Sequence, residues 1–303
     1  MITQNKVYDV IIIGSGTAGL SARTVVSKET SNYLVIEGGP LGTMCARVGC
    51  MPSKVFIEAA DMLHTSYKLP QVGYPALAVK TTDGKKVMQY VRAKRDHYVN
   101  HVIADMKAWR KTHLIQGFAK FISKDSVQVN DKVFRAKKFI IATGSKPSVP
   151  AEWRHVHGLM TTDQIFEMEK FPKSLIVIGC GPVGLEIGQC FARFGVDVTL
   201  VGQVRSIGGI QDLAMANQAK EIFETEMTVI DANVDAIDRV RGKYQVKIGR
   251  RTLKAAAVLV AIGRDSNLSS LDLSAAGADF EKDGQPVFDK STLRIKGTSC
   301  YLA

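Results

Sequence analysis

Residues Val7–Leu20 read VYDVIIIGSGTAGL, and this stretch decides the fold of the 303-residue chain. A mostly apolar run leads directly into a Gly-x-Gly-x-x-Gly loop formed by Gly14, Gly16 and Gly19. Such a run is typical of a strand that is buried on both faces of a parallel sheet. We therefore predict a strand, a tight glycine loop, and a helix whose N-terminus faces the loop.

The same pattern returns in the second half of the chain. Leu175–Leu185 reads LIVIGCGPVGL, and each copy is followed by a second apolar strand, at Tyr33–Ile36 and Val196–Val201. In this loop type the first glycine allows the turn, the second lets the backbone approach a pyrophosphate, and the third lets helix and strand pack closely. The helix N-terminus then offers N–H groups to the phosphates. Two such units predict two nucleotide sites, the second of them formed by Gly179, Gly181 and Gly184.

The two units differ at the end of their second strand. Glu37 ends the first of these strands, where a carboxylate can hold a ribose hydroxyl. The corresponding position in the second unit is Gly202, followed three residues later by Arg205. We predict a first nucleotide with a free 2′-hydroxyl, while the preference of the second site stays open, and Arg205 is the candidate there for contact with a phosphate.

Two further strands end in glycine. Phe139–Gly144 reads FIIATG and Val258–Arg264 reads VLVAIGR. A glycine at a strand end marks a place where backbone and ligand come close. The residues predicted to contact a nucleotide here are Ala142, Thr143, Gly144, Gly263 and Arg264.

These motifs predict an α/β protein with two Rossmann-like three-layer domains, the second inserted into the first. The predicted bounds are residues 1–150 for the first nucleotide-binding domain and 151–273 for the second. Residues 274–303 would begin the return to the first domain.

A cysteine pair follows the first glycine unit. Residues 42–54 read GTMCARVGCMPSK, with Cys45 and Cys50 five positions apart and Pro52 placed to open a helix. In a regular helix, residues at this spacing rise about 7.5 Å, whereas a disulfide needs Cα atoms roughly 4.4–6.8 Å apart. A bridge therefore requires a distorted segment, which Gly49 permits. The pair is either a readily reduced redox disulfide or two free cysteines.

The composition is that of an ordinary globular protein. Hydrophobic residues make up 46% and charged residues 23% of the chain, and no apolar run approaches the roughly 18 residues of a membrane helix. We expect a soluble, cytoplasmic protein that does not engage a membrane. The five cysteines fit neither a disulfide framework nor a zinc pattern, and no metal site is predicted.

Most of the net charge of +11 lies in residues 80–138. This stretch is either a docking surface for an acidic protein partner or a solvated face that another domain or subunit neutralises. Because no nucleic-acid fold signature accompanies the charge, we do not expect a nucleic-acid partner.

Taken in order, these motifs resemble those of the flavin-dependent pyridine nucleotide-disulfide oxidoreductases. Within that family they are most similar to the lipoamide dehydrogenase branch, and the Pro52-Ser53-Lys54 ending also fits the mercuric-ion branch. The resemblance implies that the first unit binds FAD, with Glu37 on the adenosine ribose, and that the second unit binds NAD(P).

The resemblance also implies roles for the residues around the cysteines. Cys50 would lie against the flavin, and Cys45 would exchange with an external dithiol or disulfide. Lys54 and Glu186 would pair near the flavin, and Thr43 would stand where the family contacts FAD.

The sequence departs from the family pattern at three points. Thr43-Met44 precedes Cys45 where the family has Gly-Thr, and Arg47 replaces a common asparagine, which favours an acidic disulfide substrate. The family normally continues beyond position 303 into a dimerisation domain. We expect a truncated version of a homodimeric protein, the alternative being a naturally short member.

Three functions are compatible with these features. The first is dithiol–disulfide oxidoreduction of the dihydrolipoamide type, with FAD and NAD(P). The second is reduction of another disulfide or of a metal ion. The third is a truncated, non-catalytic binding module.

Overall fold

The computed structural model describes residues 6–75 and 82–303, which form two compact units. The first unit comprises residues Met1–Arg47, His97–Lys146 and Ser266–Ala303. The second comprises Val48–Asp96 and Pro147–Asp265. No helix among the described residues is long and apolar enough to span a bilayer.

The helices are short to medium in length. They are α1 (Thr17–Glu29), α2 (Met44–Arg47), α3 (Cys50–Ser66), α4 (Gly84–Met106), α5 (Arg110–His113), α6 (Pro182–Arg193) and α7 (Leu213–Glu224). Turns of 3₁₀ helix occur at Leu69–Val72, Ala151–Trp153, Ile165–Glu167, Val204–Gly209 and Ser269–Leu271.

The strands, in chain order, are β1 (Val7–Ile13), β2 (Tyr33–Glu37), β3 (Leu114–Gln116), β4 (Ala119–Ser123), β5 (Ser126–Val129), β6 (Lys132–Ile141), β7 (Ser145–Pro147), β8 (Met160–Thr161), β9 (Ser174–Ile178), β10 (Asp197–Gly202), β11 (Thr228–Asp231), β12 (Ala236–Val240), β13 (Lys243–Ile248), β14 (Arg251–Ala255), β15 (Ala257–Val260), β16 (Arg264–Ser266) and β17 (Cys300–Leu302).

The first unit is built on a seven-stranded sheet in the order β3-β2-β1-β6-β5-β4, with β17 beside β6. The strands β3, β2, β1, β6 and β17 run parallel, whereas β4 and β5 are antiparallel to their neighbours. The apolar run of β1 lies at the centre, where Ile11 and Ile12 are fully buried on opposite faces. The carboxyl ends of β1 and β2 therefore meet at one edge, where Gly14 and Glu37 lie.

The second unit contains a five-stranded parallel sheet in the order β11-β10-β9-β15-β8. A three-stranded antiparallel sheet of β12, β13 and β14 accompanies it. The predicted α/β fold with two nucleotide-binding units is confirmed.

The second unit also contains α3, which begins at Cys50. Phe56 of this helix is 1% exposed, and its ring centroid lies 5.1 Å from that of Phe191 and 5.3 Å from that of Phe194. Aromatic packing at these distances stabilises beyond the area it buries. Residues 48–96 thus group with the second unit, whereas the predicted bounds place them in the first domain. The bounds as folding domains stay a prediction.

An ion-pair cluster joins α3 to α6 one turn beyond this aromatic contact. Arg193 of α6 bonds to Asp61 of α3, and its Nε lies 2.6 Å from Glu226 Oε2. Arg193 Nη2 and Gln189 Nε2 both donate to the other oxygen, Glu226 Oε1, at 2.9 and 2.8 Å. Hydrogen bonds from Arg193 lower the pKa of Glu226, and both side chains are only 17% exposed.

We predict that Glu226→Gln destabilises the protein by about 2 kcal/mol at pH 7, because it leaves a poorly solvated guanidinium without its main partner. Since the pKa of Glu226 is lowered by folding, its contribution is present above the ordinary value of 4.5 and is lost as the pH falls through the folded value. Denaturant unfolding at pH 7 and near pH 3 measures both effects.

The matched control is Glu224→Gln, which removes the exposed i,i+4 partner of Lys220. That change is expected to cost less than about 0.5 kcal/mol at either pH. Equal effects of the two substitutions at pH 7 would show that the Arg193 cluster does not hold α3 to α6.

Candidate functional site

The first glycine loop is held by backbone contacts that exclude side chains. Gly14 has φ +106°, and a Cβ built on it would lie 2.2 Å from the carbonyl oxygen of Ala142. A Cβ on Gly19 would lie 1.9 Å from the carbonyl oxygen of Gly14. By contrast, a Cβ on Gly16 would meet no atom within 4 Å. Gly14 and Gly19 are therefore required for close backbone packing, whereas Gly16 leaves open space at the N-terminus of α1.

The second loop repeats this geometry almost atom for atom. A Cβ on Gly179 would lie 2.3 Å from the carbonyl oxygen of Ala261, and one on Gly184 would lie 2.1 Å from that of Gly179. Gly181 again faces open space. Neither α1 nor α6 carries an acidic residue in its first turn, so no carboxylate competes with a phosphate there.

Glu37 closes the first loop through its carboxylate. Its Oε2 accepts hydrogen bonds from the backbone N and the Oγ of Ser15, at 2.6 and 2.7 Å. Its Oε1 accepts one bond, from Gly39 N at 2.7 Å. Because each carboxylate oxygen has two acceptor sites, Oε1 retains capacity for a ribose hydroxyl. Ser15 is 2% exposed, and the sequence analysis did not single it out.

In the second loop Cys180 takes the position of Ser15, and Gly202 takes the position of Glu37. A Cβ on Gly202 would lie 2.8 Å from both the backbone N and the Sγ of Cys180. Burial raises the pKa of the Cys180 thiol to about 11, so the thiol is neutral at physiological pH. The backbone here thus leaves no room for an acidic side chain at position 202.

A cleft of about 710 Å³ lies at the carboxyl edge of the second sheet. Its lining combines two of the three loop glycines with residues at the ends of β10, β11 and β15, and it includes Gly179, Gly181, Gly202, Gln203, Asn233, Gly263 and Arg264. Trp153 also lines this cleft. Its indole N–H is buried and has no hydrogen-bond partner.

Both arginines predicted to contact a nucleotide belong to this unit. Arg205 is exposed, and its nearest polar contact is Gln203 Oε1 at 3.5 Å. Arg264 lies in the cleft lining, where its Nη1 donates to Asp163 Oδ1 at 3.0 Å and to Thr162 Oγ1 at 3.3 Å. The structure therefore brings Arg264 to the cleft together with Gly263, while Arg205 is absent from its lining residues.

The strand end Ala142-Thr143-Gly144 lies against the first loop. Ala142 N donates to the carbonyl oxygen of Ile13 at 2.8 Å. The side chain of Asn267 donates to the carbonyl oxygen of Thr143, and its backbone N donates to that of Gly144, both at 3.0 Å. Asn267 was missed in the sequence, because only the tertiary fold brings it to this turn.

The cysteine segment is broken into two helices. Cys45 lies in α2 and is half-buried, whereas Cys50 is the exposed first residue of α3. Gly49 precedes α3 with φ −116° and ψ −120°, which is not helical. The distortion that a bridge would require is thus present at Gly49.

Thr43 shapes the start of α2. It has φ +57°, and its Oγ1 accepts a 3.1 Å bond from Ala46 N. Its hydroxyl therefore caps α2, while its own proton stays available to another acceptor.

Lys54 lies one turn after Cys50 on α3, and its Nζ is 2.9 Å from Glu186 Oε1 of α6. The two side chains are 62% and 40% exposed, so the pair contributes little to stability. The pair instead fixes the position of Lys54, whose ammonium group lies on the same face of α3 as Cys50.

Several basic side chains of the stretch 80–138 form ion pairs. Arg95 bonds to Glu167, Arg135 to Asp125 and Lys137 to Asp9. Lys80 lies outside the described residues. The predicted acidic protein partner stays a prediction. The described residues include no group of three or more His, Cys, Asp or Glu side chains that could hold a metal ion.

Residues 8–301 match the family of pyridine nucleotide-disulphide oxidoreductases. The chain belongs to this family. Its members bind FAD and NAD(P), and the two glycine loops fit these ligands by their open glycine, their helix N-terminus and the spare acceptor of Glu37.

The relatives include two kinds of enzyme. The chain is 31% identical to the mercuric reductase of Lysinibacillus sphaericus, covering 92% of this chain and 52% of that protein. It is 30% identical to the dihydrolipoyl dehydrogenase of Thermus scotoductus, covering 92% of this chain and 62% of that protein. The chain thus spans about half to two thirds of the length of these relatives.

Solved structures share the fold. The HOCl-induced flavoprotein disulfide reductase RclA from Escherichia coli, in a Cu(II) complex, superposes with a TM-score of 0.84 at 23% identity. The match covers 98% of this chain and 65% of that one. The family assignment is confirmed, and mercuric reductase is as similar as the lipoamide branch.

The loop geometry predicts different effects for two neighbouring glycines. Gly16→Ala has room for its methyl group and leaves Tm within about 2 °C, but the methyl occupies phosphate space and weakens FAD binding at least tenfold, or about 1.4 kcal/mol. Gly19→Ala must displace backbone, and we expect it to cost more than about 2 kcal/mol of stability. Thermal unfolding and FAD titration of both variants test this.

Gly181→Ala is the matched control, since it changes the equivalent position of the second loop. It should weaken NAD(P)H binding and leave FAD binding unchanged. Loss of FAD binding in Gly181→Ala, or unaltered FAD binding in Gly16→Ala, would contradict the assignment of the two loops.

Proposed function

We propose that this protein is an FAD-dependent dithiol–disulfide oxidoreductase that uses NAD(P) and the Cys45–Cys50 pair. One observation carries the proposal. Exposed Cys50 begins α3, and Lys54 of that helix pairs with Glu186 of α6, the helix that the second glycine loop starts. Cys50 and a nucleotide loop are thus linked through the packed helices α3 and α6.

The cysteines perform the thiol exchange. In the oxidised protein, a substrate thiolate attacks Cys45 Sγ, forms a mixed disulfide and releases Cys50 as a thiolate. The second substrate thiol then displaces Cys45, so that the substrate leaves as a disulfide and both cysteines are reduced. Two electrons have entered the protein, and bound FAD supplies their two-electron transfer to NAD(P)⁺.

The surroundings of Cys50 favour negative charge at that step. The N-terminus of α3 is the positive end of its helix dipole, and the Lys54 ammonium lies one turn away on the same side. Glu186 keeps Lys54 in that place. The Lys54–Glu186 pair is therefore a positioning element.

Arg47 suggests the charge of the substrate. It is half-buried, lies between the two cysteines in sequence, and has no ion-pair partner among residues 6–75 and 82–303. An unneutralised guanidinium attracts anions, with an energy of about 1 kcal/mol at 4 Å in water. We propose a dihydrolipoamide-like or acidic dithiol or disulfide as substrate.

A metal ion is the second candidate substrate. It is favoured by the 31% identity to a mercuric reductase, which equals the similarity to dihydrolipoyl dehydrogenases. Electrons would then flow in the opposite direction, from NAD(P)H through FAD and the cysteines to the metal ion.

Substitution of Cys50 separates the two halves of the reaction. Cys50→Ser should abolish reduction of a disulfide by NADH while FAD-loaded protein still oxidises NADH with an artificial electron acceptor, since that reaction bypasses the cysteines. The buried Cys300→Ala is the control and should keep both activities. Disulfide reduction by Cys50→Ser at the wild-type rate would refute the proposal.

The charge preference proposed from Arg47 is tested separately, by comparing the rates at which the wild-type protein reduces an anionic and a cationic disulfide.

The second loop predicts weak discrimination between NADH and NADPH. Gly202 neither binds a 2′-hydroxyl nor repels a 2′-phosphate, and the cleft there presents the amides of Gln203 and Asn233. We expect the two affinities to agree within about tenfold, or about 1.4 kcal/mol. Titrations with both nucleotides test this, and a hundredfold preference for either would show that another group selects the nucleotide.

A further inference from the structure

Phe118 is the most exposed large apolar side chain of the described residues, at 76%. It follows β3, which pairs with β2 in a register that sets Gln116 opposite Glu37. Gly117 N donates to the carbonyl oxygen of Glu37 at 2.9 Å. The chain is thus fixed so that Phe118 leaves the sheet at the same edge as the Glu37 carboxylate.

The Phe118 ring packs against the backbone of Gly38. Its Cγ, Cδ1 and Cε1 atoms lie 3.0, 2.5 and 2.7 Å from the place where a Cβ of residue 38 would stand. Only a glycine at position 38 lets the ring edge rest there, and Gly38 directly follows Glu37. The ring is therefore packed against the turn that presents the carboxylate, while most of its surface stays open to solvent.

A solvated phenyl ring at this place needs a physical reason. Leaving a Phe side chain exposed forgoes the free energy gained by removing its apolar surface from water. A flat aromatic surface beside a ribose-binding carboxylate suits one group in particular, because the base of a nucleotide is attached to that same ribose. Bases stack on aromatic side chains through their π-faces.

We propose that Phe118 is the stacking platform for the adenine of the dinucleotide whose ribose Glu37 binds. The inference rests on the proposed function, since it requires FAD at the first loop. It adds a residue that determines specificity for FAD over FMN, which carries the same flavin and phosphate but no adenosine. Phe118 takes no part in electron transfer.

The test is calorimetric titration of the flavin-free full chain with FAD and with FMN. Phe118→Ala should weaken FAD binding about tenfold, or 1.4 kcal/mol, and leave FMN binding unchanged. Phe118→Trp should keep the wild-type affinity for FAD within about threefold, because it retains an aromatic face. Phe280→Ala, which removes another exposed ring of the same unit, is the control and should change neither affinity.

The outcomes separate this inference from the proposed function. Wild-type protein that binds FAD, with Phe118→Ala binding it equally well or losing FAD and FMN affinity alike, overturns the role of Phe118 alone. Wild-type protein that binds no FAD overturns the flavin assignment and the stacking platform with it.

Discussion

Both nucleotide-binding units depend on a close contact between two backbone segments that leaves no room for a side chain. In each unit the third loop glycine lies directly over the carbonyl of the first, at Gly19 over Gly14 and Gly184 over Gly179. This contact sets the angle at which α1 and α6 leave their sheets. The middle glycine then faces empty space at the positive end of each helix, where an anion is stabilised.

The helix α3, which begins at Cys50, is positioned by apolar packing and not by its charged side chains. The exposed Lys54–Glu186 pair is worth little by itself, whereas the buried rings of Phe56, Phe191 and Phe194 hold α3 on α6. The stable contact therefore fixes the helix, and the weak one only orients an ammonium group beside Cys50. Because the buried rings supply the packing, the charged Lys54 and Glu186 side chains can stay solvated, and the cost of burying a charge is avoided.

The sequence predicted what local patterns determine. Mostly apolar runs before glycine loops predicted β1 and β9 and two nucleotide-binding units, and the spacing of the cysteines indicated that a bridge would need a distorted backbone, which occurs at Gly49. What it missed depends on contacts between distant segments. Ser15 binds Glu37, Asn267 reaches the turn at Thr143, and Phe118 rests on Gly38 only because the sheet order brings these residues together.

Residues 48–96 group with the second unit, whereas the predicted bounds, which stay a prediction, place them in the first domain. A motif boundary in the sequence does not reveal which core a helix enters. The motifs resemble the lipoamide dehydrogenase branch, and mercuric reductases match this chain equally well.

The central claim is that FAD and the Cys45–Cys50 pair form one electron-transfer unit. Anaerobic dithionite titration of FAD-loaded, oxidised protein, followed by flavin absorbance, tests it most directly. A flavin and a disulfide each accept two electrons, so the account predicts uptake of four electrons per chain, and two for Cys50→Ser. Uptake of only two electrons by the wild-type protein, with the flavin fully reduced, would contradict it.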